Sequence, residues 1–310
     1  PCRFRVGYRS EEFVMETLWG KPVAEEVYLQ LEEESARFIE STDHVPHLAV
    51  ILVGSDPASF SYVSMKEKAC DRLGFDHATY RFDESVSEER LLSLLSKLND
   101  DPLVDGILVQ LPLPGHLDTT TILDSISPQK DVDGFHPVNV GNLLLGNPSP
   151  VPCTPLGILK MLEHYGIETA GKHVVVVGRS DIVGKPIAAL LFQKGRDATV
   201  TICHSKTQNL RDITSLADIL VVAIGKPRFI TSGYVKEGAV VIDVGINRIE
   251  DPDRIRGYRL VGDVDYDDVA PKTSAITPVP GGVGVMTVAM LMNNTLQAAR
   301  MRRDEAEILA

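Results

Sequence analysis

In the stretch "SYVSMKEKA" (residues 61–69) a tyrosine, Tyr62, stands four residues before a lysine, Lys66. Residues at i and i+4 are neighbours on one helix face, so a phenol and an amine would share one small volume. The same pair is also the ordinary make-up of a solvated helix edge, with the lysine stem over apolar surface and its head in water. An ordinary lysine titrates near about 10.4, so acting as a base at neutral pH requires burial. A second polar group comes from "ILVQLPLP" (107–114), where Gln110 leaves a buried run and two prolines stop further pairing. Ligands in α/β proteins sit beyond the carboxyl ends of strands, which turns Gln110 toward a crevice. "DVDGFHP" (131–137) is a tight turn with two carboxylates, Asp131 and Asp133. Either can bind a ligand or merely cap its own turn.

A different chemistry is suggested by "VVVVGRSDIVGKP" (174–186), in which a buried strand runs into Gly178 and Gly184 follows six residues later, before an apolar helix. A dinucleotide fingerprint has a middle glycine, and here Ser180 takes that place, so the match is partial. A serine can still hydrogen-bond a phosphate at a helix N-terminus. The next strand, "TICHSKTQ" (201–208), ends in His204, Ser205 and Lys206 with no acid for a ribose hydroxyl. With Arg179 in the turn, the pattern predicts a 2′-phosphate and hence NADP in place of NAD.

The elements that must position these groups alternate as strands and helices, which is the α/β class. Buried strands are expected in "HLAVILVG" (47–54), "VDGILVQ" (104–110), "HVVVVG" (173–178), "ATVTICH" (198–204), "ADILVVAIG" (217–225) and "GAVVIDVG" (238–245). Helical periodicity covers 21–40, 58–73 and 87–99, with Ser87 as an N-cap and Arg90 where a capping box has Glu. "LGNPSPVPCTP" (145–155) predicts a boundary between a first domain, 15–150, and a Rossmann-like second, 151–285, with Thr154 and Pro155 opening a helix. After "ITPVPGGVGVMT" (276–287) comes an apolar helix, 286–310, that either lobe could claim and that is assigned to the first.

A net charge of −12 argues against a nucleic-acid partner, which needs clustered Lys and Arg. No apolar run approaches the roughly 18 residues of a membrane span. Cys2, Cys70, Cys153 and Cys203 show no paired spacing, which predicts a reduced, cytoplasmic protein. Residues 1–14 lack the apolar segment of a secretory signal and read as a tail of unknown origin, with Met15 a candidate start. No set of His, Asp and Glu has ligand spacing for a metal.

Nine segments, "SYVSMK", "VQLPLP", "DVDGFHP", "PCTPLG", "VGRSDIVGKP", "CHSKT", "DVGIN", "GDVD" and "TPVPGGVGVMT", stand in one order over roughly residues 18–300. In that order the chain closely resembles the bifunctional methylenetetrahydrofolate dehydrogenase/cyclohydrolases. The resemblance implies oxidation of 5,10-methylenetetrahydrofolate to the methenyl form with NADP, and hydrolysis of that form to 10-formyltetrahydrofolate. It implies a homodimer, each subunit with a cleft between two α/β lobes. Carried over by motif, Lys66 is the catalytic residue, Tyr62 flanks the folate, Gln110 supports the lysine and Asp133 holds the pterin. The backbone of Val109, Gln110 and Leu111 and of Pro280, Gly281, Gly282, Val283 and Gly284 lines the same pocket. Gly178, Arg179, Ser180, Ser205 and Ile246 fall to the cofactor, Ser205 at the 2′-phosphate and Ile246 at the nicotinamide. Val285 replaces the family's usual proline, and Phe60 stands where a polar residue is common. A single-activity enzyme, a two-lobed dehydrogenase of shikimate type and a non-catalytic nucleotide-binding module are the rivals; the presence of both Lys66 and Asp133 weighs against the last.

Overall fold

The structure, a computed structural model, describes residues 15–147, 149–254 and 257–309, without the side chains of Ala58 and residues 304–309. The tail of residues 1–14, with Cys2, lies outside the described residues. The first half of the chain runs β1 (Glu16–Thr17), α1 (Gly20–Thr42), β2 (His47–Val53), α2 (Pro57–Leu73), β3 (Asp76–Phe82), α3 (Glu88–Asp100), β4 (Gly106–Val109), α4 (Thr119–Asp124) and α5 (Pro137–Leu145). Three of its strands make a parallel sheet in the order β3-β2-β4. Every residue of β2 beyond His47 is buried, because both faces are covered. Leu48, Val50 and Leu52 pack with α1 and α2, while Ala49, Ile51 and Val53 pack with Leu91, Leu95 and Ile122 of α3 and α4. The alternation is that of a pleated strand with two apolar neighbours.

The second half runs α6 (Cys153–His164), β5 (His173–Val177), α7 (Gly184–Phe192), β6 (Thr199–Cys203), α8 (Leu210–Thr214), β7 (Ile219–Val222), β8 (Val240–Asp243), β9 (Asn247–Glu250), β10 (Tyr258–Val261), α9 (Tyr266–Val269), β11 (Ala275–Ile276) and α10 (Met286–Leu309). Its parallel sheet has the order β1-β11-β8-β7-β5-β6, and β9 and β10 form an antiparallel hairpin. The chain moves from β5 to β6 on one side and then to β7 on the other, so the crevice at the carboxyl end of β5 is the topological switch point. Among the described residues no helix is long and apolar enough to cross a membrane.

Two expectations need correction. Glu16 and Thr17, counted with the first lobe, pair with Ala275 and Ile276 at the edge of the second lobe's sheet. The helix expected from Thr154 begins at Cys153 after Pro152, and Pro155 sits inside its first turn, where an amide has no helical partner to lose. Ser87 does cap α3, accepting from the Arg90 N–H. The C-terminal helix α10 packs on α6, α1 and α2, and its Met286, Met290 and Met292 enter the core they share.

Candidate active site

Asp56 caps α2 by accepting from the Ser59 N–H, and Pro57 occupies the first turn, which fixes where the helix starts and which face it turns inward. On that face Lys66 is 8% exposed, whereas Tyr62, one turn earlier, is 40% exposed. Lys66 Nζ donates to Gln110 Oε1 at 2.8 Å. Gln110 Nε2 in turn donates to the Leu111 carbonyl at 2.8 Å, and this second bond keeps the amide oxygen toward the amine. Burial holds the Lys66 amine below its ordinary value, with the nearby Asp133 carboxylate pulling the other way.

The two acids of the turn separate cleanly. Asp131 accepts from the N–H groups of Gly134 (3.0 Å) and His136 (2.7 Å) and from Asn139 Nδ2 (2.9 Å), so it builds the turn. Asp133, half-buried, makes no hydrogen bond among the described residues. Burial pushes its carboxyl up to about 6, against the pull of Lys66 and with Asp131 adding to the rise. An acceptor left open beside a buried amine is suited to a ligand's N–H groups. Asn294, buried on α10, donates to the carbonyls of Val132 and Val151 at 2.8 Å each and so ties this turn to the interlobe linker. Sequence reasoning missed it, although an asparagine within the apolar "VAMLMNNTLQ" was the available signal.

Lys66, Tyr62 and Gln110 open on a cleft of about 320 Å³ whose other walls are Val183, Val244 and Ile246 of the second lobe and Val283, Gly284 and Thr287. Pro280, Gly281 and Gly282 line an adjoining recess of about 120 Å³ with Asp243 and Ile246. The Val109 side chain is buried in the core with α3 and α4, so only its backbone could face the cleft, and the Leu111 carbonyl accepts from Gln110 Nε2.

At the switch point, Gly178 has φ +131°, and a Cβ there would lie 2.1 Å from the Ala223 carbonyl oxygen. A Cβ on Gly184 would lie 2.3 Å from the Gly178 oxygen, so strand, turn and helix pack closer than any side chain allows. Ser180 does more than fill the missing middle glycine. Its Oγ accepts from the N–H groups of Val183 (3.2 Å) and Gly184 (3.3 Å), which holds the turn and leaves its O–H to donate outward. Val177 of β5 pairs with Cys203 of β6, so exposed Arg179 and exposed Ser205 and Lys206 stand on the loops that leave two adjacent strands. A tight backbone cradle, a helix N-terminus and a basic edge fit a dinucleotide phosphate.

Models of two domains match the chain: the tetrahydrofolate dehydrogenase/cyclohydrolase catalytic domain over residues 18–133 and the NAD(P)-binding domain of the same enzymes over residues 152–303. The chain belongs to the tetrahydrofolate dehydrogenase/cyclohydrolase family. It is 54% identical to the bifunctional protein FolD of Campylobacter curvus over 288 residues, 93% of this chain and 97% of that one. The FolD structure from Campylobacter jejuni superposes with a TM-score of 0.87 at 47% identity, covering 93% of this chain and all of that one. The Trypanosoma brucei enzyme, solved with NADP cofactor and an inhibitor, has a TM-score of 0.87 at 40% identity, covering 93% of this chain and 98% of that one. This tetrahydrofolate dehydrogenase/cyclohydrolase is thus a two-activity enzyme of one-carbon metabolism with a nicotinamide nucleotide domain. In it, the departing Val285 closes a 3₁₀ turn, Val283–Val285, and Phe60 lies exposed with the Arg81 guanidinium 5.9 Å from its ring centroid.

Proposed function

We propose that both reactions run at one lysine-centred site: 5,10-methylenetetrahydrofolate is oxidised to the 5,10-methenyl cation, and water then converts that cation to 10-formyltetrahydrofolate. The observation that carries this reading is the buried Lys66 amine held by Gln110 in the cleft between the lobes. NADP, when bound, accepts the hydride; Gly178, Arg179, Ser180 and Ser205 would hold its phosphates, and Ile246 would face its nicotinamide. NADP is preferred to NAD because Arg179, Ser205 and Lys206 form the edge where NAD enzymes carry an acid.

Asp133 accepts the N–H groups of the pterin, and Tyr62 lies along the folate at the cleft mouth. Lys66 is uncharged as the methenyl cation forms, since an ammonium at that distance would repel it. The neutral amine then takes a proton from the water that attacks the methenyl carbon. It returns that proton to the folate nitrogen as the C–N bond breaks, while the hydroxyl proton of the intermediate leaves to water as the formyl C=O forms, so one group acts as base and then acid. Gln110 keeps one amine hydrogen occupied and thereby orients the lone pair. The enzyme works as a cytoplasmic homodimer, an assembly that light scattering at micromolar concentration tests directly.

The deciding experiment mixes the protein with methylenetetrahydrofolate and either NADP or NAD, and follows reduced cofactor and methenyl absorbance together. Rapid reduction with NADP, transient methenyl accumulation and its faster-than-spontaneous decay are expected. Reduction with no enzymatic decay of the methenyl form would leave a dehydrogenase alone.

A further inference from the structure

The "DVGIN" and "GDVD" segments each carry an aspartate that the reaction itself does not use. Asp243 ends β8 and Asp263 follows β10, and both are buried, at 3% and 0% exposure. Asp243 accepts from the N–H groups of Gly245, Asp263 and Val264, all at 3.0 Å. Asp263 Oδ2 accepts from the Ile224 (2.7 Å) and Gly225 (2.9 Å) amides, and its Oδ1 from the Lys226 amide (2.8 Å) and Asn247 Nδ2 (2.9 Å).

The glycines of the two segments make the exchange reciprocal. A Cβ on Gly262 would lie 1.7 Å from Asp243 Oδ2, and one on Gly245 would lie 2.3 Å from Asp263 Cγ. Each segment therefore supplies one carboxylate and the gap that admits the other's. Keeping two acids together costs stability: burial pushes Asp243 up to about 7, and the neighbouring Asp263 charge adds to the rise. A network this exposed to desolvation is worth keeping only if it fixes a geometry.

The geometry it fixes is that of Ile246. This residue is 47% exposed and stands in the cleft, and its Cδ1 lies against Gly284, where an added Cβ would be 2.9 Å away, so packing holds it on one side only. Its neighbours on both sides are held instead, Gly245 by the Asp243 carboxylate and Asn247 by the Asp263 carboxylate. Asp263 also fastens the loop after β7, Ile224–Lys226, to the same point.

We infer that the Asp243–Asp263 exchange is the positioning device for the nicotinamide-facing wall, serving hydride transfer and not hydrolysis. The inference rests on the reading of Ile246 as the nicotinamide contact. Lys66, Tyr62 and Gln110 belong to the other lobe and draw no support from either acid. A shift of about 1 Å at a reacting centre can cost on the order of 100-fold in rate, so a loosened wall should be visible in one activity alone.

The test uses the full-length enzyme and three variants. Asp263→Asn places an NH₂ against two donors whichever way the amide turns, because each oxygen now accepts two bonds. Asn247→Ala removes one donor and leaves both acids. Ile246→Ala tests the underlying contact. Hydrolysis of the methenyl substrate without nucleotide, NADP affinity by calorimetry, and dehydrogenase kcat and KM are measured for each. Asp263→Asn should lose roughly 10- to 100-fold in dehydrogenase kcat/KM and bind NADP more weakly, with hydrolysis within about twofold of the parent. Asn247→Ala should move the same way by a few-fold, and it decides the matter alone if Asp263→Asn does not fold. A parallel fall of both activities, or an unchanged dehydrogenase beside an impaired Ile246→Ala enzyme, overturns the positioning role. Unchanged NADP affinity and dehydrogenase activity in Ile246→Ala would instead remove the nicotinamide contact, and the inference with it.

Discussion

Replacing Lys66 by methionine keeps chain length and helix propensity and removes only the amine. The folded state loses one hydrogen bond of 2.8 Å and leaves Gln110 Oε1 without its donor. An unpaired buried acceptor costs about 1–3 kcal/mol, and Gln110, half-buried and at the cleft wall, lies at the lower end because water reaches it. In the opposite direction, the variant no longer buries an amine whose charged form burial disfavours. The melting temperature should therefore stay within about 4 °C of the parent. Catalysis is affected far more. A positioned acid–base group contributes roughly 10²- to 10⁴-fold, about 3–5.5 kcal/mol of barrier, and no second amine lines the cleft. Cyclohydrolase activity should fall below detection, while the dehydrogenase persists at a reduced rate, because the hydride acceptor is the cofactor. The assay is the decay of methenyl absorbance at fixed pH, corrected for the spontaneous rate. Hydrolysis retained above about a tenth of the parental rate, a loss of under roughly 1.4 kcal/mol, would refute the reasoning and leave Lys66 a buried structural amine.

Arg179→Ala should weaken NADP about 10- to 100-fold, the worth of one charge-assisted phosphate contact, and leave NAD binding nearly unchanged; isothermal titration with both nucleotides checks this. Asp133 has its carboxyl pushed up to about 6, so its ionised, accepting form is lost as pH falls through that value. The folate KM should rise below pH 6, and Asp133→Asn should raise KM at every pH and flatten that dependence. Burial pushes the Cys70 thiol up to about 12 and Cys153 well above its ordinary value, so neither is a thiolate at neutral pH. Cys70→Ala and Cys153→Ser should keep turnover within a few-fold, and loss of all activity in a folded Cys153→Ser protein would count against that. Asn294→Leu removes the amide that bridges the Val132 and Val151 carbonyls, leaving Val132 only the long Cys153 thiol contact, and should raise the folate KM by displacing Asp133 while leaving NADP affinity unchanged.

How far these groups could be read from sequence depends on the range of the interaction that places them. Five of the six strands seen as apolar runs are buried parallel ones, which composition alone gives away, whereas β6, expected to be buried, lies at the sheet edge with only Cys203 buried and was found through its β-branched residues. β3, "DHATYRF", escaped because it is an edge strand with half-buried, polar residues, and the hairpin of β9 and β10 alternates between exposed and half-buried positions. β1 and β11 are two residues long, too short for any period. At the site, the strand-end rule pointed to Gln110, whereas residue types alone left Asp131 and Asp133 equivalent in one turn; the family resemblance chose Asp133, and the hydrogen bonds of Asp131 show what the other acid does.

The reciprocal aspartates mark the limit of that reading. Nothing in "DVGIN" says that its glycine exists to admit a carboxylate from β10's far end, and nothing in "GDVD" says the converse. Only the pairing explains both, since a side chain at either glycine would collide with the other segment's acid. A local signal would have called both segments connecting loops and would have stopped there. What the fold adds is a reason for the acids: two buried carboxylates collect seven donors from three loops. Removing either acid should therefore free several loops at once, and the loss should be larger than the sum of the donor deletions made one at a time.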